Sequence, residues 1–142
     1  MHIYKRTVQY HETDKMGITH HSNYVKYMEE ARVSYLDAIG LPFTAIEEKG
    51  IVSPVAEIKV RYKSPSTFAD VLEIKVMTES YNGMTFHFVY EMKKGDTVVA
   101  LASSAHAFLN KDGRICSLKT VAPEYDAILR AEAEKDKEFL PQ

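Results

Sequence analysis

"HSNYVKYMEEARVSYLDAIGLP", His21 to Pro42, reads as one amphipathic helix with both of its ends marked. At 100° per residue, Tyr24, Tyr27, Met28, Ala31, Tyr35, Ala38 and Ile39 fall within roughly 120° of arc, and Lys26, Glu30 and Asp37 fall opposite. Ser22 or Asn23 offers a side-chain acceptor to the first helical N–H groups, and Gly40 with Pro42 ends the helix at about Ile39. A stripe of this kind lies against a sheet, which makes the tyrosines core residues rather than a binding platform.

Beyond Gly50 the period changes to alternation. Val52–Tyr62 carries Ile58, Val60 and Tyr62 in phase, Val71–Ser80 carries Leu72, Ile74 and Val76, and Thr85–Met92 carries Phe86, Phe88, Tyr90 and Met92. Each predicts a half-buried antiparallel strand. "KKGD" (Lys93–Asp96) marks a tight turn from which Thr97–Leu109 pairs back, and "NKDGR" (Asn110–Arg114) marks another turn. A charged helix over Pro123–Phe139, with Tyr125, Ile128 and Leu129 as its apolar stripe, is expected to dock on the surface. Upstream of the principal helix, Ile3–Tyr10 predicts a strand. The order of strand, helix and four or so further strands defines an α+β domain with one long antiparallel sheet. A single helix cannot cover both faces of such a sheet, so a homo-oligomer, at least a dimer, is expected.

The chain has 142 residues, 45% hydrophobic and 27% charged, which fits one domain over residues 1–142. Its 18 basic and 20 acidic residues leave a net charge of −2, spread along the chain. That balance gives no footprint for nucleic acid or for an anionic membrane. No apolar run approaches the roughly 20 residues a bilayer span requires. The lone Cys116 forms no internal disulfide, and "MHIYKRTVQY" lacks a signal-peptide core, so a cytoplasmic location is expected. Cys116, beside Ile115 and Leu118, reads as a packing residue.

The ionisable chemistry concentrates just before the helix, in "YHETDKMGITHHSNY", Tyr10 to Tyr24. Asp14 there serves as a general base, as a nucleophile, or as an Asx-turn residue. Gly17 permits a sharp turn or a close backbone approach to a ligand. Tyr10, Asp14, His20 and His21 lie within one loop's reach of the helix N-terminus, whose free N–H groups and partial positive charge suit an oxyanion. His11, Glu12, Asp14, His20 and His21 are all potential metal ligands. However, the chain has neither HExxH nor CxxC, and the adjacent His20 and His21 side chains are expected to diverge. No metal and no other cofactor is expected. Ser103 and Ser104 fall in a strand, outside any GxSxG elbow. Glu29 and Arg32 suit an i,i+3 ion pair, and His87 and His106 suit structural roles.

"YHETDKMGITHHSNYVKYMEEAR", Tyr10 to Arg32, resembles the signature of hotdog-fold acyl-CoA thioesterases of the 4-hydroxybenzoyl-CoA thioesterase family: D-x-x-G-x-x-x-H/Y-x-x-Y, then a helical E-x-A-R. The likeness extends more loosely through "VRYKSPSTFADVLEI", Val60 to Ile74. It implies a five- or six-stranded antiparallel sheet wrapped around the long helix, with sheets joined edge to edge in a dimer and dimers often paired into a tetramer. It also implies hydrolysis of an acyl-CoA. Asp14 falls on the catalytic aspartate, as base or nucleophile. His21 falls on the residue whose main-chain N–H polarises the thioester carbonyl, with Tyr10 alongside. Arg61 and Lys63 are candidates for the CoA phosphates, and a second subunit, near Ser66 or Thr67, is expected to complete the pocket. His11, Glu12 and His20 are left to the surface or to positions behind the site. Glu12 stands where many relatives have aspartate, and Thr19 where valine is commoner, so substrate preference is open. So is a non-catalytic acyl-thioester binding protein, or dehydration of a 3-hydroxyacyl thioester.

Overall fold

A computed structural model describes residues 1–140; the single-domain expectation for residues 141–142 lies outside them. Five strands form one antiparallel sheet in the order β1-β3-β4-β5-β2: β1 His2–Thr7, β2 Val55–Tyr62, β3 Val71–Tyr81, β4 Thr85–Lys94 and β5 Thr97–Ala107. The α-helices are α1 Asn23–Ala38, α2 Phe43–Glu48, α3 Leu118–Val121 and α4 Pro123–Asp136. Alternation places Leu72, Ile74 and Val76 of β3 and Phe86, Phe88, Tyr90 and Met92 of β4 in the core, where α1 packs with Tyr24, Tyr27, Met28, Ala31 and Tyr35.

Several expectations move once the chain folds. Ala38 is exposed, and Leu36 and Arg32 take its place on the buried face, because the helix is embraced across a wider arc than an isolated stripe implies. Arg32 does not pair with Glu29; its guanidinium turns inward to the Tyr90 hydroxyl, 3.3 Å away. The first strand stops at Thr7 rather than Tyr10, since the chain turns through a 3₁₀ segment, Tyr10–Glu12, held by the Glu12 carboxylate on the Gln9 N–H at 2.8 Å. Val52 makes only an isolated bridge to Leu109, and β2 starts after Pro54, which cannot donate to the ladder.

The C-terminal helix does more than rest on the surface. Leu129 is buried, and so are Asp126 and Asp136. Asp136 accepts the Tyr35 hydroxyl at 2.6 Å and the Thr78 N–H at 2.9 Å, and also pairs with the Met1 ammonium. These bonds fasten the end of α4 to Tyr35 of α1, to β3 and to the N-terminus. Cys116 is half-buried against the core, and burial pushes its thiol pKa up. No helix among the described residues is long and apolar enough to cross a membrane.

Candidate active site

The loop between β1 and α1 folds as a small hairpin. Thr13 and Thr19 bridge its neck, the Asp14 N–H donates to the Ile18 carbonyl at 2.9 Å, and the Gly17 N–H donates to the Asp14 carbonyl at 2.9 Å. Gly17 closes this turn at φ +79°, a conformation that disfavours a Cβ. A Cβ at Gly17 would meet no atom of the described residues within 4 Å, so within the chain it is the positive φ of the turn that favours glycine. The loop is pinned from outside: Ser66 accepts the Thr19 N–H at its carbonyl (2.8 Å) and bonds Thr19 Oγ1 (2.6 Å) and Tyr24 Oη (2.8 Å) through its hydroxyl, while Thr67 Oγ1 donates to the Gly17 carbonyl at 2.7 Å. Ser66 is thus buried behind the loop of its own chain, with its hydroxyl bonded on both sides.

Asp14 accepts the Met16 N–H at Oδ1, 2.8 Å, so the Asx-turn expected of a loop aspartate is present. Its other oxygen takes no hydrogen bond among the described residues. Asp14 and His21 line one cleft of about 430 Å³, together with Ile18, Tyr24, Tyr62 and Lys63. The helix above it starts without a side-chain cap: Ser22 is itself helical in conformation and bonds His20 Nδ1, and Asn23 spends its amide on the carbonyls of Glu12 (3.0 Å) and His20 (3.2 Å). Capping fails because these side chains are claimed by the loop. The carbonyl of His21 accepts the Tyr62 hydroxyl at 3.2 Å and the Tyr24 N–H at 3.3 Å, which fixes that peptide. The His21 N–H finds no partner within the chain among the described residues. His20 and His21 do not diverge; they sit in a turn with ring centroids 4.2 Å apart.

Other expected site residues disperse. Tyr10 lies outside the cleft, 76% exposed, edge-on to Phe68. Arg61 lies on β2 in a separate shallow depression with Leu101 and Ser103. His11 and His20 are exposed. Glu12 is buried, because its carboxylate takes Arg6 at 2.8 Å, Tyr27 Oη at 2.8 Å and the Gln9 N–H. Burial pushes its pKa up, but those donors outweigh burial and hold the carboxyl below its ordinary value. Arg6 also reaches Glu30 at 2.8 Å. No group of three or more His, Cys, Asp and Glu residues is placed to hold a metal ion among the described residues. Tyr62 also lines the cleft: it is in phase with Ile58 and Val60 but closes β2 at the sheet edge, where alternation no longer implies burial.

One helix embraced by an antiparallel sheet, with a carboxylate-bearing loop at its N-terminus, defines the hotdog class of thioesterase enzymes. Residues 8–136 match the family model described as the thioesterase-like superfamily, and the chain belongs to that family. It is 39% identical over 116 residues to an Aquifex aeolicus protein provisionally named an esterase, covering 82% of this chain and 90% of the relative. A Bacillus subtilis protein, YneP, provisionally named an acyl-CoA thioesterase, is 31% identical over 115 residues, covering 79% and 83%. The crystal structure of a DHNA-CoA thioesterase from Staphylococcus aureus superposes with a TM-score of 0.91 at 25% identity, over 99% of this chain and 95% of that one.

Proposed function

We propose that the protein hydrolyses acyl-CoA thioesters, with Asp14 and the His21 main-chain N–H as the working groups. The observation that carries this reading is the shared cleft, which an unused carboxylate oxygen of Asp14 and the start of α1 both border. The names of the Bacillus and Staphylococcus relatives support a CoA thioester as substrate.

In the general-base course, Asp14 takes a proton from water as the water oxygen bonds to the thioester carbon. The carbonyl oxygen becomes an oxyanion, held by the His21 N–H and the positive end of α1. Collapse restores the carbonyl and breaks the C–S bond, and the CoA sulfur leaves with the proton from Asp14. In the nucleophilic course, an Asp14 carboxylate oxygen bonds to the thioester carbon, the C–S bond breaks and CoA leaves as a thiolate that takes a proton from water, and a second water then cleaves the mixed anhydride to the free acid and the Asp14 carboxylate. In this reading Lys63, on the cleft wall, supplies the cation for a CoA phosphate. The reading includes a homo-oligomer, dimer or tetramer: β2 has an unpaired outer edge, and Val55, Tyr62 and Leu101 are exposed along this side of the sheet.

The test is CoA release from a panel of acyl-CoAs, followed with a thiol reagent. Asp14→Ala and Asp14→Asn are expected to lower kcat at least about 100-fold, the usual scale of general-base catalysis. His21→Ala should cost less, since its main-chain N–H remains, and a chelator should change nothing. Release that persists in both Asp14 variants, or none from any acyl chain in the wild type, overturns the reading.

A further inference from the structure

Arg32 is a buried cation that the hydrolytic chemistry leaves unused. It is 5% exposed, and its Nε is the buried side-chain polar atom that has no partner among the described residues. Its one bond, from Nη1 to the Tyr90 hydroxyl, leads into a chain of neutral groups: Tyr90 Oη to Ser104 Oγ at 2.6 Å, and Ser104 Oγ to His106 Nε2 at 2.7 Å. No carboxylate pairs with it among the described residues. A guanidinium so desolvated is strongly penalised until an acceptor, best an anion, reaches it.

The strand register connects this cation to the cleft. Tyr62, which lines the cleft, shares its face of β2 with Val60 and Ile58. Their partners on β5 are Ala100, Ala102 and Ser104, and Tyr90 pairs with Ala102 from the other side. The inward residues Ile58, Val60 and Ala102 are only half-buried, because α1 leans toward β1 and β3 and leaves them partly uncovered. On the helix wall of this tract, Tyr24 stands at the cleft and Arg32 about 12 Å further along at 1.5 Å per residue. Since helical side chains lean back toward the N-terminus, the guanidinium comes nearer to the cleft than its Cα does. Half-buried apolar side chains, Val60 and Ala102, therefore lie between the cleft residues Tyr24 and Tyr62 and the cationic end at Arg32.

We propose that this tract receives the acyl group and that Arg32, backed by Tyr90 and Ser104, binds an oxygen function at the acyl group's far end, a carboxylate or a hydroxyl. This deepens the acyl-CoA hydrolase reading and rests on it. Arg32 is then a specificity-determining residue, remote from the reacting carbonyl.

The test compares acyl-CoAs of equal length, octanoyl-CoA, ω-hydroxyoctanoyl-CoA and the ω-carboxyl analogue, in full kinetics on the intact protein. The wild type is expected to favour an oxygenated chain over octanoyl by at least about tenfold in kcat/KM, since a site built on buried donors rejects a ligand that leaves them unpaired. The preferred chain of the two tells carboxylate from hydroxyl. Arg32→Met should collapse that ratio through KM, and Tyr90→Phe, which removes one hydroxyl at constant shape, should lower it less. Affinities for the same three compounds, measured by calorimetry on Asp14→Asn, give the ratio independently of turnover. If no compound is hydrolysed yet the oxygenated chains bind more tightly, the hydrolase reading fails and the distal site stands. Equal or better use of octanoyl by the wild type, or a ratio unmoved in Arg32→Met, overturns the proposal.

Discussion

Two charged clusters flank α1, and they are built on opposite plans. On the β1 side, Arg6 lies between the carboxylates of Glu12 and Glu30, and Tyr27 donates to the same Glu12. On the side of β4 and β5, Arg32 bonds only the neutral Tyr90 among the described residues, and Tyr90 leads on to Ser104 and His106. The first cluster is closed: each charge has a counter-charge, and its bonds run between backbone segments that must stay in place. Glu12 in particular ties the Gln9 N–H with its carboxylate and, with its carbonyl, the His20 N–H and the Asn23 amide. The second cluster is open, a cation without an anion. The difference separates charge used to hold the loop from charge left available to a ligand.

The largest expected effect comes from breaking the closed cluster. Glu12→Ala should destabilise the fold by about 3 kcal/mol in urea unfolding, the scale of a buried pair stripped of one partner. It should also impair catalysis, because the turn that presents His21 loses its anchor.

Acid should act next. Burial first, then the charges of Arg32 and His87, depress the His106 pKa to about 3 from an ordinary 6.5. Between these values the unfolded chain binds the proton and the folded chain does not, so stability is present above pH 6.5 and is lost as pH falls toward 3. Glu12, also held low, acts in the same direction. The loss attributable to His106 should be on the order of 3 kcal/mol between pH 7 and pH 4, and His106→Phe should flatten that part of the profile. An unchanged slope would mean that His106 takes up its proton as readily in the fold as in the unfolded chain.

The smallest effect on stability is expected at Arg32. Exchanging an uncompensated buried cation for an apolar side chain of similar length removes a desolvation penalty, so Arg32→Met should shift unfolding by less than about 1 kcal/mol in either direction. A loss as large as that of Glu12→Ala would erase the contrast between the clusters.

Most of the architecture was legible in the chain. The tyrosine period placed α1, and alternation placed Phe86 to Met92 and Leu72 to Val76 on the core face. At the site, the Asp14, Gly17, His21 spacing located the cleft loop, and the proline and glycine signals located its turns. What stayed illegible was the use of polar side chains across the fold. Ser22 and Asn23 look like caps until the loop claims them. Glu12 looks exposed until Arg6 and Tyr27 reach it, and Arg32 looks like half of a helical ion pair until Tyr90 stands opposite.

By itself the sequence determined the strand and helix elements, the antiparallel sheet, and the loop that carries Asp14 and His21, because period, turn residues and spacing are local properties. Only the tertiary structure decided that Ser66 and Thr67 brace that loop, that Tyr10 and Arg61 stand away from it, that Tyr62 joins it, and that Arg32 ends inside the molecule. Those outcomes depend on which atoms from distant segments meet. A hydrogen bond or a desolvated charge exists only once both partners, or the whole apolar wall, have been brought together.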